Sequence, residues 1–425
     1  MTTLLTKIAL GLYGTTATLL SPVIKHHLKK RRLRGKEHPE RHRERLGYTQ
    51  LTRPKGQLIW IHGASVGESL SILPLIAELN KQQANLWFLI TTGTTTSAEL
   101  MSRRLPENAI HQFVPVDTPG AVERFLSHWS PSLGLIVESE LWPQLIYRTK
   151  KHKIPLLLIN GRMSKKSTKS WKRFPFFIQD LLACFKLVHA QSKQDYHHFQ
   201  ELGAPHVIQS GNLKFSAEIL SYKQADIEEL RGLIQDRPVW FASSTHKGEE
   251  LFLAQVQKKL KDKIPNLLCI IAPRHPNRSP DIIDDITSTS LIVSTRSKAE
   301  AIRPETDIYL ADTLGELGLF YELSPLVVMA GSLLRKGGQN LLEPARQNCA
   351  IICGPEMQNF EAICDEMVEA GAIIKLKNVN QLENQLLHLL TDKQECDQLA
   401  TTAVEYMQAK GEEIHVIAEQ ILAEL

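Results

Sequence analysis

Eight short stretches carry the residues able to do chemistry. His62-Gly63-Ala64-Ser65-Val66-Gly67-Glu68 puts two glycines and a carboxylate where an apolar run ends. The glycines permit a tight turn with N–H groups facing outward. Glu68 falls at a helix start, either as a general base or as a first-turn carboxylate favoured by the helix dipole. Glu138-Ser139-Glu140-Leu141-Trp142-Pro143 sets two acids beside a Trp-Pro turn; both point the same way if the strand runs through them. Gly211-Asn212-Leu213-Lys214-Phe215 offers a lysine, and Asn160-Gly161-Arg162-Met163-Ser164 precedes it. Ser243-Ser244-Thr245-His246, ahead of Glu249-Glu250, gathers hydroxyls at a helix start, which suits an anion. Ala272-Pro273-Arg274-His275-Pro276 holds an arginine between prolines, fit to pair with a phosphate or carboxylate. Asp312-Thr313-Leu314-Gly315-Glu316-Leu317 opens another helix. Gly337-Gly338-Gln339-Asn340-Leu341-Leu342-Glu343-Pro344 pairs glycines, expected to expose N–H groups to phosphate, with a glutamate placed to hold ribose hydroxyls.

Other chemistries lack their signatures. No Gly-Lys-Ser/Thr follows a glycine loop, and GxGxxG and HExxH are absent. No acidic pair has metal-site spacing, so neither a metal nor an NAD cofactor is expected. Six cysteines without a CxxC exclude a zinc ribbon and a disulfide scaffold, and read as reduced, buried thiols.

The elements that must position these residues follow from the hydrophobic pattern. From Gln57 onward, apolar β-rich runs at 58–62, 86–91, 111–116, 133–138, 154–160, 186–191 and 206–211 alternate with helical stretches. Such runs, without clean alternation, indicate strands buried on both faces of a parallel sheet. After a polar, mostly helical stretch at 212–236 the pattern restarts at 239–243, 266–273, 307–311, 325–331, 350–354 and 372–376. The expected architecture is α/β: two Rossmann-like domains in tandem, with a cleft between the carboxyl ends of their sheets. The length of 425 residues fits two such domains. Residues 57–220 form the first and 221–425 the second, with the C-terminal helices in the latter.

The net charge of +4 is local, because residues 25–45 alone hold ten Lys/Arg against three Glu. A nucleic-acid-coating protein spreads its basic surface more widely, so nucleic acid is not an expected partner. Residues 3–24 are mostly apolar, with frequent Thr, Ser and Gly and one charge at Lys7, and are followed, not preceded, by the basic run. That order is wrong for a signal peptide. It suggests a membrane anchor at 1–24, spanning or lying in the plane, and a basic segment at 25–56 on anionic lipid, with the rest on the cytoplasmic side.

Taken in order, these motifs resemble the 3-deoxy-D-manno-octulosonic acid (Kdo) transferases of Gram-negative bacteria, over nearly the whole chain. The resemblance implies a two-domain GT-B glycosyltransferase of the inner membrane. It implies transfer of Kdo from CMP-Kdo to a lipid A precursor, with inversion and without cofactor or metal. Glu68 would be the general base, and Glu138 and Lys214 would stabilise the transition state. Pro273, Arg274, Leu314, Gly315, Glu316, Asn340, Leu341, Leu342 and Glu343 would bind CMP. Gln339 stands where the family usually has His, and Gly161 where Ala is common. Alternatives are a UDP-sugar transferase or epimerase of the same fold, and a tethering protein with a vestigial enzyme domain.

Overall fold

The computed structural model describes residues 3–425. It divides into two compact units: the chain up to Ala217 together with Lys410–Leu425, and Glu218–Ala409. Met1 and Thr2, part of the expected anchor, lie outside the described residues.

In the first unit, strands β1 (Leu58–His62), β2 (Trp87–Thr92), β3 (Ala109–Phe113), β4 (Leu133–Val137), β5 (Leu156–Gly161), β6 (Leu187–Ala190) and β7 (Val207–Gln209) form one parallel sheet. Their order is β3-β2-β1-β4-β5-β6-β7. The continuous apolar runs have a physical cause. In β1, Ile59 and Ile61 pack with Ile72, Leu75 and Leu79 on one face. Leu58 and Trp60 pack with Phe125, Trp129 and Leu145 on the other. Both faces are covered by helices, so neither selects polar residues. The order reverses at β1, between β2 and β4, which is where ligands bind in such sheets.

The last helix, Glu413–Leu422, corrects one expectation. It belongs to the first unit, because Ile417, Ala418 and Ile421 pack against the β1 isoleucines. Its apolar stripe is legible in the sequence; the sheet it covers is not. Burial of each isoleucine contributes about 1.5–3 kcal/mol.

The N-terminal segments are also built into this unit. Helix Leu4–Leu19 has 16 residues, roughly 24 Å at 1.5 Å per residue, against about 30 Å of hydrocarbon. Among the described residues no helix is long and apolar enough to cross a membrane. The Thr3 hydroxyl donates to Asp180 at 2.7 Å, Gln144 Nε2 donates to Leu10 O at 3.1 Å, and Tyr13 donates to Asp117 at 3.0 Å. The basic segment is partly structural. Arg41 donates to Glu44 at 2.8 Å and to His111 O at 2.7 Å, and Glu44 accepts the Phe113 N–H at 2.8 Å. Arg31 pairs with Glu37 at 2.7 Å.

In the second unit, β8 (Val239–Thr245), β9 (Leu268–Pro273), β10 (Val293–Thr295), β11 (Ile308–Leu310), β12 (Leu326–Met329), β13 (Ala350–Cys353) and β14 (Ile374–Lys375) form a second parallel sheet. Their order is β10-β11-β9-β8-β12-β13-β14, again reversing at the first strand. Edge strand β10 was not expected from the sequence. Trp240 and Ala242 pack with Leu253, Leu260 and Ile271. On the opposite face Phe241 meets Tyr321 edge-on at 5.3 Å. All six cysteines are buried free thiols, as their spacing suggested.

Three histidines of the first sheet give a pH prediction. Burial holds His62 and His189 at about 4 and His111 at about 3, below the ordinary 6.5. As pH falls through 6.5 the unfolded chain takes up protons that the folded chain refuses, so stability falls. Each contributes a loss of about 1.4 kcal/mol per pH unit down to its folded value. The melting midpoint is expected to drop by several degrees from pH 7 to pH 5; a midpoint that rises contradicts these burials.

Candidate active site

In the first unit the chemistry-bearing residues sit at the carboxyl ends of β1, β4, β5 and β7. After β1, Ser65 caps the helix Val66–Ser71 by accepting the Glu68 N–H at 3.3 Å. The Glu68 carboxylate folds back, accepting the Ala64 N–H at 2.8 Å and the Ser65 hydroxyl at 2.7 Å. Gly63 makes room for this, since a Cβ there would lie 3.2 Å from Glu68 Cβ. Glu68 is therefore a fixed carboxylate with 8% of its surface exposed.

β4 stops at Val137, one residue before the acids. Glu138 takes a left-handed conformation, φ 58°, which costs on the order of 1–3 kcal/mol outside glycine. The expectation that the strand carries Glu138 and Glu140 in one direction is thus corrected. The turn sends Glu138 to Lys214, with Nζ to Oε1 at 2.8 Å. It sends Glu140 to Trp142, whose Nε1–H donates at 2.6 Å, and to within 3.9 Å of His62 Nε2. Burial pushes the Glu140 carboxyl up, and the charges of Glu68 and Glu138 push the same way.

Lys214 is presented by residues that sequence reasoning left without a role. Asn160, itself left-handed at φ 51°, accepts the Leu213 N–H at 3.1 Å and so fixes the 3-10 turn Leu213–Ser216. Asn212 caps that turn, accepting the Lys214 N–H at 3.0 Å. Gly211 is required where it stands, at φ 76°, because a Cβ would collide with the Glu413 carboxylate. The asparagine of the Asn160–Ser164 motif was the available signal. The structure brings together Glu68, Glu138 and Lys214, and adds His62 and Glu140 to them.

In the second unit the motifs end four adjacent strands, β11, β9, β8 and β12. Several expected ligand groups turn out to be scaffolding. Buried Glu249 accepts N–H groups from His246 (2.9 Å), Gly331 (2.8 Å) and Leu333 (3.0 Å), tying the β8 and β12 loops together. Glu250 binds Arg278 at 2.9 Å and the Thr245 hydroxyl at 3.0 Å. Ser243 pairs with the Tyr321 hydroxyl at 2.8 Å. Gly338 spends its N–H on Gly331 O at 2.8 Å. Ser243, Thr245 and Gly338, expected to face an anion, thus spend these groups inside the unit; other groups stand at the same strand ends.

Those groups are Arg274, His246, Gln339, Asn340 and Glu343. The Arg274 guanidinium is exposed, its backbone pinned by an N–H to Thr245 O bond of 2.9 Å. Its charge acts on both His246 and Glu343. Gln339, the departure from the family pattern, donates to His246 Nε2 at 3.1 Å. Asn340 donates to Glu343 at 3.1 Å and accepts the Leu342 N–H at 3.1 Å. Burial raises the Glu343 carboxyl, opposed by that bond and by Arg346 and Arg274. Pro273 ends β9 beside Arg274, and Leu341 and Leu342 are buried beneath the loop. One strand further out, Leu314 is 80% exposed and Gly315 sits at φ 85°. Glu316 is held there by Thr313 and by Arg296 at 2.8 Å.

Among the described residues, no three His, Cys, Asp or Glu side chains are grouped to hold a metal ion. A groove of about 810 Å³, lined in part by Arg41, Arg43, Met101 and Leu105, contains none of the residues above.

Residues 40–217 match the family described as 3-Deoxy-D-manno-octulosonic-acid transferase (kdotransferase). The chain is 37% identical over 385 residues to a probable mitochondrial 3-deoxy-D-manno-octulosonic acid transferase of Arabidopsis thaliana, covering 88% of this chain and 85% of that one. It is 30% identical over 400 residues to the 3-deoxy-D-manno-octulosonic acid transferase of Haemophilus influenzae, covering 93% and 94%. Among solved structures, the UDP-GlcNAc 2-epimerase from Neisseria meningitidis bound to UDP-GlcNAc aligns with a TM-score of 0.61 at 15% identity, covering 87% of this chain and all of that one. That likeness bears on the fold, two Rossmann-like units of the GT-B class, and on nothing finer. The chain belongs to the 3-deoxy-D-manno-octulosonic acid transferases, a family of glycosyltransferases.

Proposed function

We propose that this chain transfers Kdo from CMP-Kdo to a hydroxyl of a lipid A precursor, with inversion, in lipopolysaccharide synthesis. Glu68 takes the acceptor hydroxyl's proton as the oxygen attacks the anomeric carbon of Kdo. The bond from that carbon to the CMP phosphate breaks, and positive charge develops on the sugar, as in glycosidases. Glu138 stands against that charge, and Lys214 holds Glu138 in place. Arg274 receives the negative charge that builds on the departing phosphate. Glu343, fixed by Asn340, accepts from ribose hydroxyls. The observation that carries this reading is the 2.8 Å Glu138–Lys214 pair beside the fixed Glu68, assembled from residues far apart in the chain.

The donor is tested by competition. CMP is expected to inhibit transfer and UDP is not; inhibition by UDP alone overturns the choice of nucleotide. Arg274→Ala is expected to weaken CMP-Kdo binding by about 10- to 150-fold, since a charged hydrogen bond contributes about 1.5–3 kcal/mol. Unchanged donor affinity by calorimetry moves the phosphate elsewhere.

The acceptor is a lipid, and the chain works at the cytoplasmic face of the inner membrane, lying on it. Support comes from one exposed surface. Leu4, Leu5, Ile8 and Leu12 project from the N-terminal helix, and Phe174 and Phe176 are 64% and 57% exposed. The segment carrying those phenylalanines is joined to this helix by the Thr6 hydroxyl, which donates to Phe176 O at 3.3 Å. Just before them come exposed Lys165, Lys166, Lys169, Lys172 and Arg173, which attract anionic head groups. Replacing Phe174 and Phe176 by Ser is expected to lower sedimentation with anionic vesicles about tenfold or more. Activity on detergent-dispersed acceptor persists. Undiminished vesicle binding contradicts a membrane role for this face.

A further inference from the structure

His62 ends β1 with its imidazole completely buried. Its Nδ1 lies 3.1 Å from Thr91 O, a carbonyl that only accepts, so the ring proton sits on Nδ1. Nδ1 is also 3.1 Å from Thr91 Oγ1, which receives the Trp60 indole N–H at 2.9 Å and directs its own hydrogen to Ile61 O. Nε2 is therefore a bare lone pair, buried and without a hydrogen-bond partner. The nearest polar group is the Glu140 carboxyl, with Oε2 at 3.9 Å.

An ionised Glu140 has no hydrogen to offer Nε2, and it adds a third negative charge beside Glu68 and Glu138. Lys214 pairs with Glu138. The other charged group near His62 is Arg45, whose positive charge opposes a proton on the ring. Trp142 donates to Glu140 Oε2, a bond that a protonated hydroxyl oxygen also accepts.

We propose that Glu140 is a positioning residue that works as a neutral acid, donating its proton to His62 Nε2 so that Glu68 stays ionised as the base. This rests on Glu68 being the base. The Glu140 proton is not consumed: the acceptor's proton goes to Glu68 and then to solvent. Burial raises the Glu140 carboxyl, the Trp142 bond opposes it, and the charges of Glu68 and Glu138 raise it further.

The test compares two substitutions in the full chain, in detergent, over a range of CMP-Kdo concentrations at saturating lipid A precursor. Glu140→Ala is expected to lower kcat by about 30-fold or more, with donor KM changed less than about threefold. Because Oε2 faces both the Trp142 indole N–H and His62 Nε2, Glu140→Gln is compared with Glu140→Ala in a Trp142→Phe background, where its amide N–H can donate to His62, and there it is expected to recover at least about tenfold of that loss. Its rate should also hold further into alkaline pH, where wild type loses the Glu140 proton. A Gln variant as slow as Ala means that the negative charge of Glu140 is what the reaction needs, and overturns the proposal. An Ala variant as fast as wild type overturns it as well. If the variants do not fold, ¹⁵N NMR of histidine-labelled wild type decides. A neutral His62 with Nε2 accepting a hydrogen bond at pH 7 is expected; an imidazolium, or an Nε2 shift of an unbonded lone pair, contradicts it. Failure of the base reading shows separately, as an active Glu68→Gln.

Discussion

Glu68→Gln is expected to cut turnover by about 10²–10⁴-fold, the usual contribution of a general base, and to leave CMP affinity nearly unchanged. The split follows from where the residue stands. Glu68 belongs to the first unit, on the loop after β1, whereas Arg274, Asn340 and Glu343 belong to the second. The substitution is also mild structurally. The Ala64 N–H and the Ser65 hydroxyl bind different oxygens of the carboxylate; the amide oxygen can keep the Ala64 N–H while the amide N–H₂ donates to Ser65 Oγ, and the Ser65 cap of the helix does not depend on the charge. Fold and melting temperature should therefore persist while proton acceptance is lost. Turnover within about threefold of wild type contradicts the assignment.

The Glu138–Lys214 pair should show the second-largest effect. Lys214→Met leaves Glu138, only 13% exposed at its side chain, without its cation. Glu138→Gln removes the charge that faces the sugar. Each is expected to lower kcat by about 10²-fold, and the double variant to be little worse than the poorer single one. Residues acting as one unit are strongly non-additive, with coupling of about 0.5–3 kcal/mol. A double variant that falls by the product of the two single effects means that they act independently. Loss of activity in Asn160→Ala, without loss of the fold, is a milder expression of the same dependence, because the turn carrying Lys214 hangs from that side chain.

Much of this site was legible in the sequence because parallel α/β sheets put chemistry at strand ends. A run such as LIWIH followed by glycines both marks a buried strand and locates its loop. Glu68, Glu138, Lys214 and Arg274 were expected at strand ends on that ground, aided by the family pattern, and they stand at the ends of β1, β4, β7 and β9. The misreadings have one physical origin: polar groups at a helix start serve a ligand or the fold, and the sequence does not distinguish these. Ser243 and Thr245, expected to suit an anion, proved to be internal, paired with Tyr321 and with Glu250. The last helix displayed its stripe but not its partner. His62 looked like the end of a strand. Its interest lies in the lone pair facing Glu140, which depends on the left-handed turn at Glu138. A non-glycine left-handed residue has no sequence signature.

The central claim is chemical and is settled by product mass. Purified full-length protein is incubated with CMP-Kdo and a tetra-acylated lipid A precursor, and the lipid fraction is read by mass spectrometry. The account predicts lipid heavier by one or more whole Kdo units, with CMP released in equal number, and almost none of either from Glu68→Gln. An unmodified lipid mass with active, folded protein, or transfer from a UDP-sugar in place of CMP-Kdo, contradicts it.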